Sequence, residues 1–115
     1  MNIKIKRFDK ELPLPKRQTE GAAAFDLTAR ETVTIEPGKV GYVPLNIAVE
    51  TPPGYFLMIA ARSSTHKKGI MKPNGIGIID PDYSGNEDEV KSVYYNFTDQ
   101  PVTVEKGERI AQETS

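Results

Sequence analysis

The sequence contains no cysteine and no long apolar run. Without cysteine the chain can form no disulfide, no thiolate metal site and no cysteine nucleophile. No apolar run approaches the ~20 residues that a membrane span requires, and the N-terminal stretch MNIKIKRFDK lacks the apolar core of a signal peptide. We therefore expect no membrane partner and a cytoplasmic location.

The chain also lacks an excess of charge of either sign. Its 15 Lys and Arg residues nearly balance 16 Asp and Glu residues, which gives a formal net charge of −1. A protein that binds nucleic acid or a membrane surface generally carries a clear basic excess, so the composition predicts neither partner. A length of 115 residues suits one domain, and we expect residues 1–115 to form a single unit.

Regular helix is scarce in the predicted structure. Nine prolines and nine glycines are spread along the chain and leave little room for a helix of ten residues or more. Between them, stretches such as MNIKIKRF alternate apolar and polar residues, as half-buried strands do. Many short strands separated by turns are typical of an all-β barrel or sandwich. The segment SSTHKKG is the only helical candidate, at one or two turns.

Polar side chains follow the apolar strand that the sequence predicts over residues 56–61. Arg62 offers a planar fork of donors that matches phosphate oxygens, and Ser63 and Ser64 add hydroxyl and backbone N–H donors. If Ser63 or Ser64 caps a short helix, the helix N-terminus adds partial positive charge. The alternative interpretation is an ordinary N-cap beside a surface arginine.

The stretch GIGIIDPDYSGNEDEV contains a second candidate. Turns at Asn74-Gly75 and near Gly85 bracket a short strand that ends in Asp80. Burial behind two isoleucines raises the pKa of a carboxylate and a nearby cation lowers it, which suits Asp80 to act as a base. The alternative is a structural aspartate in an Asp-Pro turn. The acidic run NEDE at 86–89 is expected to be a solvated loop.

Asp26 lies between apolar residues in the stretch AAAFDL. A buried aspartate needs a partner, and Arg62 is the best candidate for an ion pair. We expect Lys67 and Lys68 to be solvated.

Four stretches, GAAAFDLTA, ARSSTHKKG, NGIGIIDPDYSG and GERIAQ, occur together and in this order between Gly21 and Gln112. They resemble motifs one to four of the deoxyuridine triphosphate nucleotidohydrolases (dUTPases). The resemblance implies a distorted jelly-roll β-barrel that forms a homotrimer with active sites shared between subunits. It also implies hydrolysis of dUTP to dUMP and pyrophosphate with Mg²⁺, which the three phosphates and water hold, so that no protein metal ligand is expected.

The resemblance assigns roles by position. Asp80 would orient the attacking water toward the α-phosphorus and contact the 3′-hydroxyl, while Tyr83 would lie against the deoxyribose and exclude a 2′-hydroxyl. Asn74 and the backbone of Ile78 and Ile79 would contact the uracil edge in a hairpin slot. A wrong base would leave buried backbone groups unpaired, at a cost of ~1–3 kcal/mol per group.

The remaining assignments concern the far side of the slot and the phosphates. Lys91 would close the other side of the slot, although the return segment SGNEDEVKS is a few residues longer than the family's common form. The phosphate ligands would be Arg62, Ser63 and Ser64, with Gln112 near the α-phosphate and Asp26 supporting Arg62. Ala61 stands where the family usually has proline.

The sequence stops at Ser115, directly after the fourth motif. The family normally continues with a further strand and a glycine-rich, arginine-containing arm over the phosphates of a neighbouring subunit. Without it we expect reduced turnover, nucleotide binding that is less affected, and a weakened trimer. Two alternatives remain at this point: a nucleotide-binding or protein-interaction module with weak catalysis on a dUTPase scaffold, and a dCTP deaminase of related fold.

Overall fold

The structure, a computed structural model, describes residues 4–15, 25–51, 54, 56–79 and 83–114. Asp80 and the start of the first motif stretch, residues 21–24, lie outside the described residues. The strands are β1 (Lys4–Arg7), β2 (Phe25–Thr28), β3 (Val33–Ile35), β4 (Val40–Pro44), β5 (Ile47–Glu50), β6 (Leu57–Ala61), β7 (Ile70–Met71), β8 (Gly77–Ile79), β9 (Lys91–Asn96), β10 (Val102–Val104) and β11 (Arg109–Thr114).

The strands pair antiparallel throughout the described part of the chain. Four strands form one sheet in the order β2-β11-β6-β8, three form another in the order β4-β9-β7, and β1-β5 and β3-β10 form two-stranded sheets. The all-β prediction is therefore confirmed. The strand pairing seen among the described residues does not close into a continuous barrel.

The helical prediction is also confirmed, in its shortest form. The segment Thr65–Lys68 is a single turn of 3₁₀ helix, and Gly69 ends it in the left-handed conformation at φ 92°. A glycine is needed there because a side chain with a Cβ is strained at positive φ. Across the described residues, no helix is long and apolar enough to cross a membrane.

A single cluster of buried apolar side chains lies among the four sheets. Alternation explains how each strand contributes: in β9, Ser92, Tyr94 and Asn96 are buried while the intervening residues face outward. Partly buried side chains from β1 and β8, Ile5 and Ile79, pack against the cluster. The buried members are Leu27, Ala29, Ile35, Val43, Leu45, Ile47, Val49, Leu57, Ile59, Ile70, Val90, Tyr94, Val104, Ile110 and Ala111.

One lysine ends inside this core. Lys72 is 6% exposed, its Nζ donates to the Ser92 hydroxyl over 2.6 Å, and it lies 5.4 Å from the centre of the Tyr94 ring. Burial lowers the pKa of Lys72 to about 8. Burial likewise raises the pKa of Tyr94 to about 12, and its hydroxyl donates to the Ile110 carbonyl. At neutral pH the core therefore contains an ammonium group that folding has partly desolvated.

We predict that Lys72→Met changes the pH dependence of stability. The unfolded lysine binds its proton up to about pH 10.5 and the folded one only up to about 8, so the parent should gain stability as the pH rises between these values. The penalty below pH 8 is up to about 3 kcal/mol. Chemical denaturation from pH 6 to 11 should show a higher free energy of unfolding for the variant at pH 7 and a flatter profile above pH 8. The control Lys39→Met, at an exposed lysine, should keep the parent's rise in the free energy of unfolding between pH 8 and 10.5. If Lys72→Met shows the same rise, the lowered pKa of Lys72 is contradicted.

Candidate active site

The central strand β11 gathers the residues of the first, second and fourth motif stretches. Gln112 lies opposite Asp26 of β2 on one side and Ala60 of β6 on the other, so these three side chains share one face of the sheet. The Gln112 amide nitrogen donates to the Ala61 carbonyl over 3.0 Å. Asp26 and Gln112 are thus held side by side at the end of β6.

Asp26 meets two guanidinium groups at this point. Its carboxylate side chain is only 11% exposed, and its Oδ1 lies 3.3 Å from Arg62 Nε while its Oδ2 lies 3.9 Å from Arg109 Nη1. Arg62 also donates to the carbonyl of Arg109 over 3.3 Å. The ion pair predicted between Asp26 and Arg62 is therefore present, and it fixes the direction of the arginine fork.

The turn after β6 presents backbone donors beside this fork. Ser63 and Ser64 are exposed, and among the described residues no acceptor faces their N–H groups or their hydroxyl groups. Ser64 occupies the N-cap position but makes no side-chain capping bond. The contribution from a helix N-terminus was expected only if Ser63 or Ser64 caps a helix, and one turn of 3₁₀ helix without a side-chain cap aligns few peptide dipoles. The donors themselves remain available.

An open cleft of about 260 Å³ adjoins the turn. Glu108 is the only acidic residue among those lining it, and the Lys68 ammonium lies 3.0 Å from the Glu108 carboxylate. Lys67 is exposed, and none of the residues placed by the structure pairs with its ammonium group. Both lysines were predicted to be solvated. The prediction is confirmed for Lys67 and is partly wrong for Lys68, whose side chain is half-buried in this ion pair. The lining residues are Arg62, Ser64, Thr65, Lys67, Lys68, Glu108, Arg109 and Ile110.

The chemistry of this cleft favours a polyanion. Several cations and backbone donors converge on it, while its acidic neighbours are already engaged with Lys68 and Arg62. Phosphate groups are the ligands that such a set of donors matches. Within the described part of the chain no three His, Asp or Glu side chains are close enough to hold a metal ion.

The strand β8 supplies the third motif stretch. It pairs with β6 through Gly77, Ile78 and Ile79, and it lies at the edge of the four-stranded sheet as described. Alternate backbone groups of an edge strand therefore point away from the sheet without a strand partner. Ile78 is 58% exposed, while Ile79 packs against the core. The edge is suited to hydrogen-bond a flat polar ligand.

The turn before β8 positions Asn74. The N–H of Gly75 donates to the Lys72 carbonyl and the N–H of Ile76 to the Asn74 carbonyl, and Gly75 takes φ 71°. The predicted turn at Asn74-Gly75 is confirmed, and it leaves the Asn74 side chain exposed. The predicted hairpin, however, is not a paired ladder in the described residues, because β8 pairs with β6 and residues 83–90 contain no strand.

Tyr83 and Lys91 lie on the segment that follows. The Tyr83 hydroxyl donates to the Glu89 carbonyl over 2.8 Å, and partial burial raises the pKa of Tyr83, helped by the charges of Asp88 and Glu89. Lys91 is exposed at the start of β9, where it lies opposite Pro44. Neither residue has a contact with Arg62 or Gln112 in the described chain.

The strand register separates the two halves of the predicted site. Ile79 lies opposite Leu57, at the start of β6, whereas Arg62 follows the end of that strand. Strands rise about 3.3 Å per residue, so these ends are roughly 16 Å apart. Ile79 is the last residue of β8 that the structure describes, and it lies at the end of β6 remote from Arg62. The described residues of one chain therefore form two separate groups, one around Arg62 and one along β8.

Sequence reasoning missed one feature of the acidic run. Glu89 is 5% exposed, so the prediction of a wholly solvated 86–89 loop is wrong at this residue. The Arg30 guanidinium binds the Glu89 carboxylate through two hydrogen bonds of 2.7 and 3.0 Å. The two residues are 59 positions apart, so no local pattern could have paired them. Sequence reasoning also missed Arg109, which lies near Asp26 and lines the cleft.

Comparisons with known proteins agree with the motif resemblance. The family model described as dUTPase matches residues 10–112. A deoxyuridine 5′-triphosphate nucleotidohydrolase from Caldanaerobacter subterraneus is 44% identical over 96% of this chain and 76% of its own length. One from Lactococcus lactis is 40% identical over 86% of this chain and 69% of its own. The crystal structure of dUTPase from Streptococcus mutans superposes with a TM-score of 0.87 at 34% identity, covering 96% of this chain and 91% of that one.

We predict that Lys67→Ala weakens the binding of inorganic pyrophosphate to the cleft. Its ammonium is a cation that the fold leaves without a described partner, so its loss should raise Kd about three- to tenfold, as one charge-assisted contact would. Isothermal titration in low salt measures this, with Lys4→Ala as the control because Lys4 lies on β1, outside the cleft. Equal Kd values for Lys67→Ala and the parent would exclude Lys67 from the phosphate site.

Proposed function

The chain belongs to the dUTPase family and is an enzyme that hydrolyses dUTP, and from that premise we propose how its residues divide the reaction. The dUTPase fold expected from the sequence is confirmed by the superposition on a solved relative. The observation that carries the proposal is the basic cleft around Arg62 and the unpaired edge of β8, which fit the two ends of one nucleotide.

The cleft would hold the triphosphate. Arg62, fixed by Asp26, and the free N–H groups of Ser63 and Ser64 supply donors to the phosphate oxygens. Gln112 lies beside Asp26 in the same row of the sheet, next to the cleft. Mg²⁺ fits this arrangement as a cation that arrives on the phosphates, because the described cleft offers cations and donors rather than metal ligands. When bound, it would neutralise charge on the phosphates.

The edge of β8 would hold the nucleoside. The outward-facing backbone groups of β8 at Ile78 and Ile79 would line a slot with Asn74 at one end, and uracil offers donors and acceptors along one edge to match. Tyr83 would stand against the deoxyribose, and Lys91 would close the far side. A base with a different pattern would leave these buried groups unpaired, which disfavours it strongly.

Asp80 would activate the water. It follows Ile79 of β8, and the resemblance places it beside the α-phosphorus. In this step the water oxygen forms a bond to the α-phosphorus, the bond to the bridging oxygen breaks, and pyrophosphate leaves. Asp80 orients the water and accepts its proton. Incubation with dUTP and Mg²⁺, with pyrophosphate as the measured product, tests the whole assignment. Ammonia release from dCTP would instead identify a deaminase.

A homotrimer would complete each site. Arg62 and the described end of β8 at Ile79 are remote in one chain, and contact between copies would bring the phosphate half of one chain to the nucleoside half of another. The outer face of the β4-β9-β7 sheet supports such contact. It carries exposed Val40, Tyr42 and Met71 next to Val93 and Tyr95, an apolar surface that water disfavours. The cytoplasmic location stays a prediction of the sequence.

We predict that Asp80→Asn abolishes turnover while it leaves the affinity for dUTP within about tenfold. Positioning and deprotonating a water stabilises only the transition state, so kcat should carry the loss. Pyrophosphate release gives kcat, and titration with a non-hydrolysable dUTP analogue gives the affinity. A variant that retains more than about a tenth of the parent rate would contradict the role of Asp80.

We further predict that two inactive variants restore each other when mixed. Arg62→Met damages the phosphate half of the site and keeps Asp80, whereas Asp80→Asn damages the catalytic half and keeps Arg62. In a site shared between two chains, the intact Arg62 of one variant can combine with the intact Asp80 of the other. After denaturation and joint refolding at equal amounts, random cyclic trimers should contain about a quarter of their sites with both halves intact. Pyrophosphate release measures the recovery. Mixtures that stay as inactive as either variant alone would show that each chain builds its own site.

A further inference from the structure

Residues 83–90, which connect the slot to β9, are attached to the fold at Glu89. The Glu89 carboxylate accepts three N–H donors: two from the Arg30 guanidinium, at 2.7 and 3.0 Å, and one from the backbone of Asn46, at 2.9 Å. The fork is bidentate, the strongest common geometry for such a pair. The hydrogen bond from Arg30 to Glu89 also raises the pKa of Arg30, so the guanidinium stays charged.

The second anchor, Asn46, is itself rigid. It is fully buried, with φ 71°, a conformation that asparagine tolerates better than most residues. Its side chain exchanges two hydrogen bonds with the backbone of Asp9, at 2.5 and 3.0 Å. The N–H that faces Glu89 is therefore fixed by the fold, and the carboxylate has one available position.

The carbonyl of this same Glu89 accepts the hydroxyl of Tyr83 over 2.8 Å. The raised pKa keeps the phenol protonated, so it remains a donor at neutral pH. A continuous chain of contacts therefore runs from Arg30 and Asn46 through Glu89 to the tyrosine ring. Among the described residues this is the only hydrogen bond of the Tyr83 side chain.

We propose that Arg30 and Glu89 are positioning residues for the sugar pocket: their ion pair fixes the Glu89 carbonyl that holds Tyr83 against the deoxyribose. This rests on the sugar-excluding role proposed for Tyr83. A ring held at one point leaves no room for a 2′-hydroxyl, whereas a ring released from that point can move aside and admit it. Arg30 and Glu89 touch no substrate and act only through Tyr83.

The test compares kcat/KM for dUTP and UTP in the parent and in variants of the full chain. Glu89→Gln keeps the volume of the side chain but loses the charge, and Tyr83→Phe keeps the ring but loses the tether. Each should lower the preference for dUTP about three- to tenfold, the range of one hydrogen bond, mainly through a lower KM for UTP. Because both variants cut the same chain of contacts, the double variant should lose no more than either single one.

Glu31→Gln is the matched control, since Glu31 lies 3.7 Å from the same Arg30 guanidinium on the exposed side and makes no contact with Tyr83. The preference of Glu31→Gln for dUTP over UTP should equal that of the parent. Backbone bonds at Val90, to Ile47 and Leu45, also hold this segment. If these backbone bonds alone hold Tyr83 in place, Glu89→Gln keeps the parent's preference for dUTP over UTP, and the proposal is overturned. It is also overturned if the losses of preference in Glu89→Gln and Tyr83→Phe multiply in the double variant.

Failure of the sugar role can be told apart from failure of the ion pair. Tyr83→Ala with an unchanged preference would contradict the proposed function of Tyr83 itself. In that case hydrogen exchange of the amides in residues 83–90 decides on the ion pair. Faster exchange in Glu89→Gln than in Glu31→Gln would support the positioning role, and equal exchange would overturn it. Arg30→Met repeats the comparison from the other partner if Glu89→Gln does not fold.

Discussion

The pairing of β11 with both β2 and β6 is the constraint on which the proposed phosphate half of the site depends. It sets Asp26 beside Gln112 and directs Arg62, at the end of β6, back onto Asp26. A one-residue slip in either ladder would turn Asp26 or Gln112 to the opposite face and separate the pair. The core side chains of the same strands, Leu27, Ile59 and Ala111, prevent that slip because it would expose them to water.

The second half of the site obeys a different constraint. In the proposed site the strand β8 has to lie at an edge, because a further strand would occupy the backbone groups assigned to the base. The exposed Ile78 of this strand and the exposed Ile76 just before it form an apolar surface that invites association. Contact between copies would cover those side chains while leaving the slot open to nucleotide. Assembly and recognition would then use the same unpaired edge.

Much of the fold and half of the site follow from local patterns. Alternation in MNIKIKRF predicts β1, Asn74-Gly75 predicts the turn before β8, and an aspartate between apolar residues predicts the pair of Asp26 with an arginine. Contacts between remote segments escape such reasoning. Glu89 lies in an acidic run that local composition assigns to water, and its burial depends on Arg30 and Asn46, whose proximity only the folded chain creates. Lys72 is a similar case, since nothing in the stretch IMKPNG marks it as buried.

The charges of the chain show why a nearly neutral protein can bind a polyanion. The net charge is −1, yet the acids nearest the cleft are used to orient cations: Asp26 holds Arg62, and Glu108 holds Lys68. Each of these pairs fixes a donor in place but also offsets its charge, while Lys67 adds a cation that no described acid offsets. A uniform basic surface would attract any nucleic acid. Cations held at defined positions in one cleft would instead select a ligand whose phosphates have the matching spacing, so a near-zero net charge is compatible with the proposed phosphate site.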